Sequence, residues 1–396
     1  MKKFKSFKIY KILIILLSVL LLFVSTITLQ NIKNAYALTI KQNPSEYSNI
    51  NDNIEDNIQK FNELIKAYSG FEDKKISKIK TLTDFNGSLF LDLECEPIGY
   101  LIVNYETMIP FEYASNSVSP YYYAEGNLIY GAPTYYYKQT QTSLTKNTAE
   151  KFYLQEIISN EEVILNENTF NNFKAYNIQT IKALEDSNIT TNENLINPYG
   201  QSTPYGGYYI ENYEYVSKIE DFAYNHSGIC TYVAAAIILY YTQRQFGGNF
   251  INTSFMTNNG FTVDLVNELL SIAKSLGVGN ATHAVEFKKV MQKYTETRVP
   301  NATHYSMALS TALNIDLCFR DNKPVMLCGN FQDVSSSSGK VNHTIVAFGR
   351  SETVSGIYKN RYYHVNYGWR GYTDVTIMDN IFLNPIGSMY NLNPLG

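Results

Sequence analysis

The residue best suited to covalent chemistry in this chain is Cys230, in the segment YNHSGICTYVAAAIILYY (residues 224–241). The alanine- and isoleucine-rich run that follows has the length and composition of a buried helix, which places Cys230 in the first helical turn. Unpaired backbone N–H groups and the helix dipole favour a thiolate at such a position. A lone cysteine is more often a small buried residue, so a catalytic role requires partners elsewhere in the sequence.

A thiolate nucleophile needs an imidazole partner, and the chain has five histidines that could supply it. His343 begins the strand-like run HTIVAFG, directly after the serine-rich loop FQDVSSSSGKVN. Asn366, in YHVNYGWRG, can accept an imidazole N–H with its side-chain carbonyl and so fix the tautomer. Trp369, the only tryptophan in the sequence, can cover that contact and exclude water. The sequence therefore offers Cys230, His343 and Asn366 as a catalytic set.

The other histidines have weaker claims to a catalytic role. His283 and His304 each follow the tripeptide NAT at predicted helix starts, where capping or a solvent-facing position is expected. His226 lies four residues before the cysteine and is interpreted as structural. His364 shares a strand face with Asn366 and is the second candidate for the catalytic imidazole. No separate motif supplies His364 with a residue to orient its ring.

The C-terminal half reads as helices followed by strands, which is an α+β pattern. After the Cys230 helix, which should end at the FGG of residues 246–248, helices are predicted over 262–277, 283–294 and 305–319. Strands are predicted over 323–330, 342–350, 360–368 and 372–378. This order allows a helix to present a cysteine to a histidine on a sheet.

The N-terminal half reads as a helix packed on an antiparallel sheet. Apolar residues recur every three or four positions over residues 53–67, which predicts an amphipathic helix. Strand-like runs follow at 88–94, 99–106, 108–114 and 127–139, and helix-like stretches at about 148–160 and up to residue 186. Residues 190–215 lack either periodicity and are interpreted as an exposed linker between two domains, where a protease could cut.

The first 37 residues have the features of a bacterial-type export signal. Five lysines precede an apolar stretch from about Ile12 to Leu29, and the AYA of residues 35–37 provides a cleavage site. An uncleaved membrane anchor is the alternative, because the apolar stretch is long. Cleavage would remove six lysines and no acidic residue, so the formal charge would change from −4 to −10. An acidic, secreted or cell-surface protein is poorly suited to binding nucleic acid.

The remaining cysteines do not form a disulfide framework. Cys95, Cys318 and Cys328 are an odd set once Cys230 is set aside, and Cys318 and Cys328 are either bridged or reduced core residues. The cysteines and histidines are too scattered for a standard zinc spacing. The sequence therefore predicts no metal and no cofactor.

Three motifs, in this order, resemble those of papain-fold cysteine peptidases and in particular the streptopain-like bacterial branch: SGICTYVAAAIILYY, NHTIVAFG and YYHVNYGWRG. The likeness covers roughly residues 205–380. Upstream, IGYLIVNYETMIPFEYA is similar to the strand pair of the propeptide that keeps such enzymes latent. The resemblance implies a signal peptide at 1–37, a smaller α+β propeptide-like domain with its linker at 38–200, and a papain-like α+β peptidase domain at 201–396.

The resemblance also implies roles for individual residues. Cys230 would be the nucleophile and His343 its thiolate–imidazolium partner, while Asn366 orients His343 and Trp369 shields that contact. The family's oxyanion donor is a glutamine in the loop before the cysteine, and here the nearest amide is Asn225, whose side chain is one methylene shorter. Where the family commonly has a tryptophan after the asparagine, this chain has Tyr367.

The function that follows is an exported cysteine endopeptidase made as a zymogen, with protein or peptide substrates and the N-terminal domain as an intramolecular inhibitor. It would contact a membrane only through an uncleaved signal. One alternative keeps the same site but directs it to cell-wall peptide crosslinks or another acyl transfer. The other alternative is an inactive papain-fold protein that binds a surface, for which the missing glutamine is the main argument.

Overall fold

The computed structural model describes residues 58–84, 88–133, 135–143, 151–158, 162–165, 208–219, 228–279, 284–307, 312–331, 341–355, 358–379 and 388–394. The predicted export signal, the helix-like stretch at 172–186, Asn225, His226 and His283 lie outside these ranges. So does the predicted domain boundary near residue 200, which stays a prediction. Within the described ranges, no helix is long and apolar enough to cross a membrane.

The N-terminal half contributes one helix and eight strands among its described residues. They are α1 (Ile58–Ile65), β1 (Lys75–Thr83), β2 (Leu89–Glu96), β3 (Tyr100–Asn104), β4 (Pro110–Ala114), β5 (Leu128–Ala132), β6 (Tyr135–Ser143), β7 (Lys151–Glu156) and β8 (Glu162–Leu165). Helix α1 buries Phe61, Leu64 and Ile65, the apolar positions of its predicted periodicity. The helix prediction is therefore confirmed over the part of residues 53–67 that the structure describes.

In the C-terminal half, the long helices precede the long strands in sequence, as predicted. Its elements are β9 (Tyr208–Tyr209), α2 (Glu214–Ser217), α3 (Cys230–Phe246), a 3-10 turn (Thr253–Phe255), β10 (Met256–Thr257), β11 (Gly260–Phe261), α4 (Val263–Ser275), α5 (Ala284–Glu296), β12 (Thr303–Met307), α6 (Ala312–Arg320), β13 (Val325–Phe331), β14 (Val341–Ser355), β15 (Tyr358–Asn366), β16 (Val375–Met378) and β17 (Ser388–Asn393).

Fifteen of these strands form one sheet, so the described part of the chain is a mixed α+β protein built on a large, mostly antiparallel sheet. The strand order is β12-β17-β13-β14-β15-β16-β4-β3-β2-β1-β5-β6-β7-β8, and β9 pairs with β14. The pairing of β1 with β5 is parallel. Strands of the two sequence halves meet where β4 pairs with β16. Residues Gln59–Gly396 accordingly form one compact unit.

Helix α3 is buried on all sides over most of its length. Every residue from Cys230 to Thr242 is buried, which suits a run of alanine, isoleucine and tyrosine with no charged side chain. The helix packs on β14 and β13 of the sheet and on α4. It ends at Phe246, directly before Gly247 and Gly248, as the sequence predicts. The sheet and α4 therefore hold the N-terminus of α3, with its cysteine, in a fixed position.

One predicted helix is wrong, and another is confirmed over only part of its length. The helix-like stretch at 148–160 contains β7, which pairs with β6 and β8. The stretch 305–319 contains the end of β12 and most of α6. In both places strand pairing overrides local preference: β7 pairs with its sequence neighbours β6 and β8, and β12 pairs with the distant β17. His304 consequently lies in β12, opposite Leu392 of β17, and not at a helix start.

Candidate active site

Cys230 is the first residue of α3, as the sequence predicts. Ile229 is the N-cap residue, and Gly228 before it has a φ of +76°, in the left-handed region that favours glycine. A Cβ atom on Gly228 would meet no atom within 4 Å. Glycine is therefore needed here for the backbone turn into the helix, and the space beside it is open.

The Cys230 thiol lies against Thr344 of β14. The backbone and the side chain of Thr344 hydrogen-bond the sulfur, as do those of Thr231. The two threonine hydroxyls also lie 3.0 Å apart. Because Thr344 directly follows His343, these contacts bring the start of α3 to the residue beside the predicted imidazole.

The thiol is closed off from solvent in this conformation. Cys230 is only 3% exposed, and burial raises the pKa of its thiol. The hydrogen bonds from Thr344 and Thr231 lower that pKa but do not offset the burial. Burial therefore favours the protonated thiol of Cys230 in this conformation, and a protonated thiol is a poor nucleophile.

His343 is buried on β14 beneath the tryptophan that the sequence singles out. It pairs with Gly329 of β13 across the sheet and is 5% exposed. Its ring centroid lies 5.4 Å from that of Trp369, and the two planes are tilted by 47°. The indole thus contacts the imidazole, and the predicted shielding of a His343–Asn366 hydrogen bond stays a prediction.

Asn366 is held by two hydrogen bonds at the end of β15. Its Nδ2 atom donates to the carbonyl oxygen of Val216 at 2.7 Å, and its Oδ1 atom accepts from the backbone N–H of Gly368 at 2.6 Å. The two bonds fix the orientation of the amide, because only one assignment of nitrogen and oxygen satisfies both. A carbonyl oxygen has two lone pairs and can accept a second donor. The predicted bond from His343 to Asn366 stays a prediction.

The segment that carries Asn366 and Trp369 packs directly on α3. Gly368 has a φ of +75°, and a Cβ atom there would lie 2.9 Å from Val233 Cγ1. Val233 is three residues after Cys230, on the same side of the helix. Glycine at position 368 thus lets the backbone approach α3 within one turn of the cysteine. Thr344, next to His343, and Gly368, two residues after Asn366, therefore both contact the first turn of α3.

Sequence reasoning missed the residues that connect these candidates. Thr231 and Thr344 each follow a predicted catalytic residue, and that adjacency is the only sequence signal they carry. Val216, which binds Asn366, lies in the short helix α2, where the sequence predicts the end of the linker and no regular structure. Asn225, the predicted oxyanion donor, lies outside the described residues.

The other described histidines, His364 and His304, are each held by hydrogen bonds to neighbouring hydroxyl groups. His364 Nε2 lies 3.1 Å from the Tyr209 hydroxyl and its Nδ1 lies 3.0 Å from the Thr376 hydroxyl. Burial lowers the pKa of His364 to about 3. His304 bridges Thr295 and Tyr390, each at 2.9 Å, and burial followed by the charge of Lys288 lowers its pKa to about 4. Both imidazoles are therefore neutral hydrogen-bonded residues near pH 7.

All four cysteines are free thiols, which settles the question of a bridge between Cys318 and Cys328. Cys318 Sγ accepts a hydrogen bond from Asn391 at 2.6 Å, and Cys328 Sγ accepts one from Thr344 at 3.5 Å. Across the described ranges, histidine, cysteine and acidic side chains form no group of three or more that could hold a metal ion.

No protein-family model matches the sequence. No curated protein matches it at a significant level either. The functional assignment therefore depends on the motifs and on the geometry of their residues.

Proposed function

We propose that the chain is an exported cysteine peptidase of the papain-fold type, made as a latent precursor with a Cys-His-Asn site at Cys230, His343 and Asn366. The observation that carries the proposal is the position of the cysteine at a helix N-terminus, hydrogen-bonded to the residue that follows a tryptophan-covered histidine. A helix N-terminus and an adjacent imidazole are the two features that activate a thiol. The order of three helices before the strands of the sheet is in keeping with a papain-like domain.

The proposed reaction is acyl transfer. The Cys230 thiolate attacks the peptide carbonyl carbon, and the leaving amine takes a proton from His343. Water then hydrolyses the thioester with His343 as base, which returns the free thiolate. The backbone N–H of Cys230 would donate to the oxyanion, together with the side-chain amide of Asn225. Asn366, anchored by Val216 and Gly368, would keep the imidazole in the correct tautomer.

Latency is supported by the burial of the site. A thiol that is 3% exposed and has a raised pKa cannot meet a peptide substrate without a conformational change. The proposed change is the release of residues 38 to about 200 after a cut in the linker. Export through residues 1–37 and an extracellular location belong to the same proposal.

Self-processing provides the direct test. The purified chain should lose its N-terminal segment on incubation, whereas the Cys230→Ala variant should stay intact under the same conditions. Cys318→Ser is the matched control, because Cys318 is equally a buried free thiol and lies in α6. Equal processing of the parent and Cys230→Ala chains would refute a role for Cys230 in processing.

The burial of Cys230 also favours the second candidate, an inactive protein that binds a surface. Alkylation by iodoacetamide after removal of the N-terminal segment separates the two, with the modified cysteine identified by mass spectrometry. A peptidase requires Cys230 to react far faster than Cys95, Cys318 and Cys328. Equal reactivity would identify the inactive protein. Casein and purified peptidoglycan as substrates then distinguish a protein substrate from the cell wall.

A further inference from the structure

One short strand pair connects the two sequence halves of the sheet, and we call this pair, β4 with β16, the joint. Strand β4 pairs with β16 through two residue pairs, Tyr113 with Thr376 and Glu112 with Ile377. Neighbouring strand pairs are longer, and β2 pairs with β3 through five residue pairs. Two residue pairs contribute few backbone hydrogen bonds, so the side chains on the two faces of β4 must provide most of the attachment.

One face of the joint carries a buried acid surrounded by tyrosines. Glu112 is completely buried. Its Oε1 atom accepts hydrogen bonds from the Tyr100 hydroxyl at 2.6 Å and the Tyr136 hydroxyl at 2.5 Å, and its Oε2 atom accepts one from Tyr130 at 3.3 Å. We call these four residues, together with Tyr367, the Glu112 cluster.

The fifth member of the Glu112 cluster comes from the candidate active site. Tyr367 follows Asn366 directly, and its buried hydroxyl lies beside the Glu112 carboxyl and the Tyr136 hydroxyl. That hydroxyl makes no hydrogen bond of ordinary distance and angle within the described residues. The Tyr367 ring lies 5.5 Å from the ring of Trp369, which covers His343. Side chains in contact thus lead from Glu112 to the predicted imidazole.

On the opposite face of the joint, aromatic rings contact one another, and no acid is among these residues. Tyr113 of β4 lies 5.7 Å from Tyr362 of β15 and 5.2 Å from Tyr68, between ring centroids. Beyond the end of β4, Ser117 donates a hydrogen bond to the carbonyl oxygen of Gly371 at 2.5 Å. On this face Asp374, directly before β16, interacts with Tyr113, and burial raises the pKa of Asp374 to about 6. Within the two paired strands themselves the acid is Glu112.

Burial raises the pKa of Glu112 to about 7, and the hydrogen bonds from its tyrosines oppose that rise. The titratable groups that face it are Tyr100 of β3, Tyr130 of β5, Tyr136 of β6, Tyr367 and, from β2, Asp92, whose own pKa is raised to about 7 by burial. Glu94 and Lys80 lie next to Asp92 and form an ion pair of 2.7 Å. A carboxyl with a raised pKa stabilises the folded state at low pH and loses that effect as the pH rises through 7.

We propose that the Glu112 cluster is a proton-dependent latch. The neutral carboxyl holds β4 and its neighbouring strands on the segment Asn366–Trp369, and ionisation of Glu112 weakens that attachment. The latch itself does not require enzymatic activity, whereas its consequence, faster unmasking of the site above pH 7, rests on the proposed peptidase function.

Hydrogen exchange measured on the full chain with Cys230→Ala tests the latch without any processing. The readouts are the opening constants of β4 and β16 between pH 5.5 and 8.5, corrected for the intrinsic exchange rate. A pKa of about 7 in the folded state predicts that opening increases about 30-fold over this range because of Glu112. Glu112→Gln, which cannot ionise, should remove this part of the increase, and any remainder belongs to Asp92 and Asp374, whose pKa values are raised to about 7 and about 6. Glu125→Gln, at an exposed position in the same half, should retain it.

Three outcomes would overturn the proposal. The first is an equal pH dependence in the Glu112→Gln and parent chains. The second is an equal increase in opening at α5, which would mean that Glu112 affects global stability and not the joint. The third comes from Tyr367→Phe, which keeps the ring but removes a hydroxyl that lowers the pKa of Glu112. It should move the opening midpoint to higher pH, and an unchanged midpoint would exclude Tyr367 from the latch.

The processing rate of the active chain at pH 5.5 and 8.5 then tests the consequence separately. The rate should increase more between pH 5.5 and pH 8.5 in the parent than in Glu112→Gln. If opening follows the predicted pH dependence but no processing occurs at either pH, the latch stands and the peptidase function fails.

Discussion

Replacing Gly368 with alanine should disrupt the contact between the Asn366–Trp369 segment and α3. Two costs add at this position. A φ of +75° costs an alanine roughly 1–2 kcal/mol. A new Cβ atom 2.9 Å from Val233 Cγ1 causes overpacking in a buried region, at about 1–3 kcal/mol. We therefore expect Gly368→Ala to lower the free energy of unfolding by about 2–5 kcal/mol.

Gly371 provides a matched control for the conformational cost. Its φ is +86°, but a Cβ atom there would meet nothing within 4 Å. Gly371→Ala should thus cost only the roughly 1–2 kcal/mol of the left-handed backbone. The difference between the two variants isolates the contact with Val233.

A double-mutant cycle tests the assignment of that contact. Val233→Ala alone should cost roughly 1–3 kcal/mol through lost burial, but in the Gly368→Ala background it removes the atom that causes the clash. The two substitutions should therefore be less destabilising together than the sum of their separate effects, by about 1–3 kcal/mol. Urea unfolding of chains that also carry Cys230→Ala measures all four states. The reasoning is refuted if Gly368→Ala costs no more than Gly371→Ala, or if the cycle shows additivity.

Two further predictions concern the thiol and a buried histidine. Thr344→Val removes a hydrogen bond that lowers the pKa of Cys230. The pH midpoint of Cys230 alkylation should therefore rise by about 0.5–1 unit, while Thr242→Val, at the far end of α3, should leave it unchanged. His304 has a pKa lowered to about 4, so its contribution to stability is present above the unfolded-state value of about 6.5 and is lost as the pH falls toward 4. Urea unfolding should show the stability advantage of the parent over His304→Gln shrinking by at most about 2 kcal/mol in that window; a constant difference would contradict the assignment.

Local patterns were sufficient to predict the elements that are strongly periodic or apolar throughout. The composition of residues 230–246 predicts α3 and places Cys230 in its first turn, and local patterns predict α4 and α5. The strands β13 to β16 were also predicted close to their observed bounds. These are elements whose own residues determine which surfaces are buried.

The elements that were missed depend on pairing with other strands. Strand β12 pairs with β17 across about 85 residues, and neither strand has a run of alternating residues long enough to be recognised alone. Strand β7 contains alternating apolar residues within a stretch interpreted as helical, and its pairing with β6 decides its structure. Short strands of this kind take their conformation from the sheet, which no local window contains.

Order and spacing pointed to Cys230, His343 and Trp369 as candidates. The structure shows His343 and Trp369 in ring contact and Cys230 beside Thr344, the residue after His343. The burial of the thiol and its hydrogen bonds with Thr344 depend on how β14 packs on α3, and the sequence carries no signal for that packing. The Glu112 cluster was even harder to predict from the sequence, because its members come from several different strands and follow no spacing rule.

The four cysteines show why burial alone does not classify Cys230. Burial raises the thiol pKa of Cys95 to about 12 and that of Cys318 to about 11, as it raises that of Cys230. Cys230 differs in its position at a helix N-terminus and in the hydrogen bonds that favour its thiolate from two threonines. Opening the joint between β4 and β16 would relieve burial at the site only if Tyr367 and Trp369 move with it. The helix N-terminus and the threonine hydrogen bonds would then remain while the desolvation cost falls, so Cys230 is the thiol whose pKa we expect to fall on activation.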